Sequence, residues 1–311
     1  MKRVGAIDCG TNTIKLLVAD LDPATGTEHQ LVREMRIVRL GQDVDRTGRL
    51  ADEAVARTLA AVDEYAEILA AHDVEAVRFC ATSATRDASN GDAFRAAVRD
   101  RLGIEPEVLS GDEEAALSYD GATRSLQAAD HPRPFLVVDI GGGSTELVLG
   151  DGTVDAARSL DIGSVRLTER LMPSDPPTYD EVVAAVAAID EALDTLPSYG
   201  VQPERAGTVI GVAGTVTTVA TLLAGLDHWD RDRIHHATFP VDEVHALTER
   251  LLHMTVAERR ALHVPEGRAD VIGAGALVLD RVLRRTPADD LLVSDADILD
   301  GIAWSLVTSH A

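Results

Sequence analysis

The chain has 311 residues, of which 45% are hydrophobic and only 3% aromatic, and it carries a formal net charge of −23. That length suggests two domains, with cores built mainly of Ala, Val, Leu and Ile. So few aromatics exclude base-stacking platforms, and so negative a field excludes general binding to nucleic acid or anionic membranes. An anionic substrate stays possible where arginines and backbone N–H groups cluster locally.

The N-terminus, MKRVGAIDCG, runs straight into a strand and reads as having no signal peptide. Residues 3–9 and 13–20 read as two strands around the turn CGTN, and 29–40 as a third with alternating apolar and charged positions. Apolar spacing at Val55, Leu59, Val62, Ala66 and Leu69 predicts a helix over 51–71. AVRFCAT is a short buried strand, ATSATRDASN a polar loop after it, 91–102 a helix and PEVLS a strand. A helix over 112–126 follows the N-cap signal SGD. After the connector HPRP, FLVVDI, TELVLG and TVDAARSLDIG read as three more strands. The connector MPSDPPT leads to a helix over 178–196 capped by Thr178. TVIGVAG is a strand, 215–225, 241–252 and 268–285 are helices, DLLVSD is a strand, and 297–309 a closing helix. Charges interrupt the apolar stretches, so no transmembrane helix is expected.

The pattern βββαβα thus occurs twice. IDCGTNTIKLLV (7–18) and VDIGGGSTELVL (138–149) align without gaps, Asp8 on Asp139, Gly10 on Gly141, Thr13 on Ser144 and Leu16 on Leu147. So long a period means duplicated domains. The expected domains are 1–126 and 127–296, with the closing helix 297–311 packing back on the first.

Glycine turns let backbone N–H groups approach a ligand, and successive N–H groups form an anion-binding concavity. Gly141, Gly142, Gly143, Ser144 and Thr145 suit phosphoryl oxygens. Gly10, Thr11, Asn12 and Thr13 suit them less strongly, and Gly214 and Thr215 open a helix whose N-terminus favours anions. Acids beside bound phosphate need a cation between, so Asp8, Asp139 and Glu146 are candidate ligands for Mg²⁺ or Mn²⁺. Lys15 takes the repeat position of Glu146, which suggests that one half binds phosphate directly and the other through metal. Arg33, Arg36 and Arg39 along one strand, with Arg166 and Arg268 at helix starts, are candidates for a phosphate track or for ion pairs. The histidines form no ligand set. Cys9 and Cys80 lack metal or disulfide spacing and read as buried small hydrophobes in a reduced, cytoplasmic setting.

AIDCGTNTIKLLVAD, CATSATRDASN, SGDEEA, VVDIGGGSTELVLG, GVAGTVTTVA and VSDADILDGI resemble, in that order, the exopolyphosphatase/guanosine pentaphosphate phosphatase family. The resemblance runs from about residue 3 to about residue 305. It implies an α/β fold of two actin-like (ribonuclease H-like) domains flanking a cleft. It also implies hydrolysis of the terminal phosphate of inorganic polyphosphate or of guanosine pentaphosphate (pppGpp), and it admits a homodimer. Within SGDEEA it assigns the catalytic base to Glu114, and it places Arg86 near the phosphates. The residues themselves do not choose between Glu113 and Glu114, which point about 100° apart on one helix. Longer family members carry a further C-terminal helical domain, which this chain is expected to lack. An actin-like kinase and a non-catalytic polyphosphate or alarmone sensor are the readings from other classes.

Overall fold

The computed structural model describes residues 1–126 and 131–308. Residues 127–130, at the expected domain boundary, and 309–311, at the end of the expected closing helix, lie outside the described residues. The chain divides into two compact units, one of Met1–Gly121 with the segment from Ile298 onward, the other of Ala122–Asp297.

The first unit runs β1 (Lys2–Cys9), β2 (Thr13–Asp22), β3 (Thr27–Ile37), α1 (Val44–Thr47), α2 (Asp52–Ala71), β4 (Ala76–Ala81), α3 (Ser83–Asp87), α4 (Gly91–Leu102), β5 (Glu107–Val108) and α5 (Gly111–Thr123). The second runs β6 (Phe135–Ile140), β7 (Thr145–Gly150), β8 (Val154–Leu160), α6 (Ser164–Leu171), α7 (Tyr179–Leu193), β9 (Thr208–Val212), α8 (Ala213–Leu223), α9 (Arg231–Ile234), β10 (Thr238–Pro240), α10 (Val241–His253), α11 (Val256–Ala261), α12 (Ile272–Leu283) and β11 (Asp290–Val293). The last helix, α13 (Ile298–Thr308), returns to the first unit.

The first sheet has the strand order β3-β2-β1-β4-β5 and the second β10-β11-β9-β6-β7-β8. Set β6, β7, β8, β9 and β11 against β1 to β5 and the two orders coincide, with β10 added at one edge. In both, the first strand pairs antiparallel with the second and parallel with the fourth. The duplication legible in two hairpins therefore extends to whole sheets, and each is the actin-like arrangement.

Alternating side chains on β1 and β2 feed two different layers of the first unit. Ile14, Leu16 and Val18 pack with Val62, Tyr65, Phe94 and Val98 of α2 and α4. Leu17, Ala19 and Leu21 pack with Ile298, Leu299, Ile302 and Trp304 of α13. The second unit buries Leu136, Val138 and Leu147 of its sheet with Ile189, Val244 and Leu279 of α7, α10 and α12. Thr178 caps α7 reciprocally with Glu181.

Three local differences from expectation matter for the site. ATSATRDASN is not all loop, because Thr82 O accepts from Thr85 N and Arg86 N and starts the short helix α3. The third strand of each repeat ends early, at Ile37 and at Leu160, because the following residues turn to bond the neighbouring hairpin. The expected 268–285 helix begins only at Ile272, after a turn in which Arg268 N donates to Pro265 O.

Candidate active site

In the second unit the ladder sets Asp139 opposite Glu146 across β6 and β7, at the root of the glycine turn. Both are buried, at 6% and 1% exposure. The turn beyond them is held by its carbonyls. Gly141 O accepts from Ser164 N, Gly142 O from Val165 N and Arg166 N, and Gly143 O from Gly163 N and from Arg166 Nε at 2.8 Å. All of these donors belong to the start of α6 and the residue before it. In a trans peptide unit the N–H points opposite to its C=O. Anchoring the carbonyls of Gly141, Gly142 and Gly143 on α6 therefore turns the N–H groups of Gly142, Gly143 and Ser144 the other way. None of those three donates to a backbone carbonyl among the described residues. Three neighbouring donors aimed together form an anion-binding concavity.

Gly163 makes this possible. A Cβ there would sit 2.3 Å from Gly142 O and 2.4 Å from the Gly143 carbonyl carbon. The first unit repeats the device, with Gly41 N donating to Thr11 O, and Val38 N and Arg39 N to Asn12 O. A Cβ on Gly41 would lie 2.2 Å from Thr11 Cγ2. Gly41 and Gly163 were not legible as site residues. Their signal is faint, a glycine after an aliphatic residue in RLGQDV and LDIGSVR, and it needs the repeat to be aligned across a gap.

The first turn keeps the aspartate and differs in its partner, a lysine in place of the glutamate. Asp8 faces Lys15 across β1 and β2, in the register that Asp139 and Glu146 share, and Lys15 Nζ lies 3.5 Å from Asp8 Oδ2. Gly10 N closes the turn on Thr13 O, and the Thr11 and Ser83 hydroxyls are 2.9 Å apart, which joins the turn to α3. On α3, Arg86 donates to Leu109 O at 2.7 Å and to Glu114 Oε2 at 3.3 Å. The structure thus brings Gly10, Thr11, Arg86 and Glu114 of this unit into one chain of contacts.

The adjacent glutamates take different places. Glu113 Oε2 accepts from Ser110 N and Ser110 Oγ, both at 2.9 Å, and Glu113 N donates back to Ser110 Oγ. That capping box occupies Glu113 and holds its carboxyl below the usual range, the Ser110 amide acting first and the hydroxyl second. Glu114 is the buried one, at 7% exposure. The Arg86 guanidinium compensates its charge.

Other expected residues take different places. Thr145 turns its hydroxyl inward, donating to Ile162 O at 3.0 Å, so only its backbone belongs to the turn. Asp139 pairs with Val212, which brings the β9–α8 junction beside the acids. At that junction Ala213 has φ 65°, a left-handed conformation. Above Gly214 lies Arg268, whose Nη1 donates to Gly214 O and to Thr218 Oγ1, and a Cβ on Gly214 would lie 2.3 Å from Arg268 Nη2. Burial pushes the Arg268 guanidinium down to about 10, still protonated at neutral pH. Thr215 packs against Gly275 of α12.

Arg33, Arg36 and Arg39 do not form a row. A spacing of three along a strand alternates faces. Arg33 pairs with Asp300 of α13, Arg36 with Glu34 and Glu64, and Arg39 lies past the end of β3.

Among the described residues no group of three or more His, Cys, Asp or Glu side chains is assembled for a metal. The Asp139–Glu146 pair still fits a hard divalent ion, since Mg²⁺ takes one or two protein carboxylates and fills its sphere with water and phosphate oxygens.

The model of the Ppx/GppA phosphatase family matches residues 18–310. Exopolyphosphatase 2 of Mycobacterium tuberculosis (strain H37Rv) is 49% identical, covering 98% of this chain and 99% of that protein. A crystal structure of an exopolyphosphatase-like protein superposes with a TM-score of 0.93 at 43% identity, covering 98% of both chains. The Aquifex aeolicus member of the Ppx/GppA family gives 0.82 at 30% identity, covering 100% of this chain and 99% of that one. With the acids, the glycine turn and the SGDEEA helix in place, the chain belongs to the Ppx/GppA phosphatase family and is a phosphoanhydride hydrolase.

Proposed function

We propose that this hydrolase is an exopolyphosphatase, releasing terminal orthophosphate from linear inorganic polyphosphate with Glu114 as the general base. The observation that carries the reading is the turn of Gly142, Gly143 and Ser144, whose N–H groups share one direction beside the Asp139–Glu146 pair. Aligned amides suit the oxygens of a phosphoryl group and ask for no base or sugar. The name of the 49% identical relative supports the same substrate. A chain with 3% aromatic residues also offers few rings to a guanine.

In the reaction, a water oxygen bonds to the terminal phosphorus. The bridging P–O bond breaks and its electron pair stays on the shortened chain. Glu114 takes the proton from the water, and Arg86 keeps that carboxylate in place. A base so positioned is worth roughly 10²–10⁴ in rate. Most of the remainder comes from holding the phosphoryl oxygens still, the work of the glycine turn. Mg²⁺, or Mn²⁺, bound by Asp139 and Glu146 would neutralise charge on those oxygens. Asp8 is compensated by Lys15, so the cation belongs to the second unit in this reading. A cytoplasmic location accords with two buried free thiols, Cys9 and Cys80.

Phosphate release from short polyphosphate, long polyphosphate and guanosine pentaphosphate with Mg²⁺ tests the proposal. Release from polyphosphate is expected; release from the nucleotide alone would replace this reading by a pppGpp 5′-phosphohydrolase. Glu114→Gln should lower turnover by about 10²–10⁴ and leave polyphosphate binding nearly intact. A rate near wild type would remove Glu114 from the role of base.

A further inference from the structure

The ladder that sets Asp139 opposite Glu146 continues one strand outward. Glu146 on β7 pairs with Ser159 on β8, so Asp139, Glu146 and Ser159 form one row across three strands. Ser159 Oγ donates to Glu146 Oε1 at 2.7 Å. That is the ordinary distance of a well-formed O–H···O hydrogen bond. The first unit supplies an internal comparison. Its equivalent row is Asp8, Lys15 and Met35. Where the middle position is a lysine, the third is a methionine that is 41% exposed and has no hydroxyl to offer. Where the middle position is a carboxylate, the third is a serine bonded to it.

We propose that Ser159 is a positioning residue. It fixes one oxygen of Glu146 so that the carboxylate is pre-set for the divalent cation that Glu146 and Asp139 share. The inference rests on the cation reading given above and adds a residue that touches neither cation nor substrate. A carboxylate with rotatable χ angles pays side-chain entropy each time it engages a metal, and a second partner on its other oxygen removes part of that cost. Outer partners of this kind are worth roughly 10–100-fold in metal affinity.

The test is a titration of Mn²⁺ into the full chain, followed by the EPR signal of the free ion, for wild type, Ser159→Ala, Ser159→Thr and Glu146→Gln. Ser159→Ala should weaken Mn²⁺ binding roughly 10–100-fold, and Ser159→Thr, which keeps the hydroxyl on a β-branched residue suited to a strand, should restore it. The Mg²⁺ concentration for half-maximal activity should move by the same factor in Ser159→Ala, with kcat recovered at saturating Mg²⁺. In chelator the thermal midpoint of Ser159→Ala should fall by only the few degrees that one lost hydrogen bond to a buried carboxylate costs, with cooperative unfolding kept, which separates positioning from loss of the fold. If Ser159→Ala does not fold, Ser159→Cys takes its place, since a thiol of similar size is a weak donor. Unchanged Mn²⁺ affinity in Ser159→Ala alongside lost affinity in Glu146→Gln overturns the role of Ser159 alone. Unchanged affinity in Glu146→Gln overturns the cation assignment, and the positioning role with it.

Discussion

Ala213 is the residue whose backbone is most at odds with its side chain near the acids. At φ 65° an L-residue carries strain of about 1–2 kcal/mol from its Cβ. Glycine at this position removes that strain and adds back about 0.5–1 kcal/mol of unfolded-chain entropy. Ala213→Gly should therefore leave unfolding stability level or raise it, by up to about 1.5 kcal/mol, in chemical denaturation. A net loss would mean that the Ala213 methyl packs better than its half-buried position suggests. Part of the candidate site was legible residue by residue. Asp139, Glu146 and the glycines stood out because their types conflict unless phosphate and a cation are both involved. Glu113 and Glu114 could not be separated, because each suits a first helical turn. Only the Ser110 cap, a matter of where one side chain goes, distinguishes them.

At the scale of elements, the decisive unit is a hairpin together with the segment that returns to it. The hairpins were legible as an ungapped repeat. The returning segments were not, because their contacts to the turns span 20 or more residues and leave only one glycine each as a trace. Gly163→Ala tests their importance. The methyl would meet backbone of Gly142 and Gly143, which cannot rotate away as a side chain can. The start of α6 must then lift from the turn. The expected result is a loss of about 1–3 kcal/mol in stability, together with a rise in KM for polyphosphate beyond what kcat shows. Unchanged KM in a folded variant would show that α6 does not set the direction of the N–H groups. Of the two readings of the arginines at 33, 36 and 39, the ion pair holds for Arg33 and Arg36, and no continuous track forms along β3. Charged residues every third position look like a stripe only on a helix, and in a strand they part to opposite faces.

For the whole molecule, the chain order and the spatial order differ. α13 completes the first unit although it is the last element, and Trp304 is its largest buried side chain, 2% exposed with its indole N–H donating to Glu28 at 2.9 Å. Arg33 adds a two-pronged bond to Asp300. Trp304→Ala should destabilise the first unit by about 3–5 kcal/mol. Two separate thermal transitions, with only the one reporting unfolding of the first sheet shifted, would be the signature in calorimetry. A single unshifted transition would deny α13 that role. The acidity of the chain acts at this scale too. No helix among the described residues is long and apolar enough to cross a membrane, and any grip on a polyanion must come from locally oriented amides and guanidinium groups against a net charge of −23.

The two-fold repeat, the acids at the ends of the first strands, the glycine turns and the family are all legible from neighbouring residues, because strand period, turn chemistry and charge conflict are local properties. Long-range packing fixes which way the turn amides point, which glutamate is buried beside Arg86, that Arg268 fills the space over Gly214, and that Ser159 bonds to Glu146. Each of those depends on a contact between residues distant in the chain, and the direction of a hydrogen bond is fixed only when its far partner is in place.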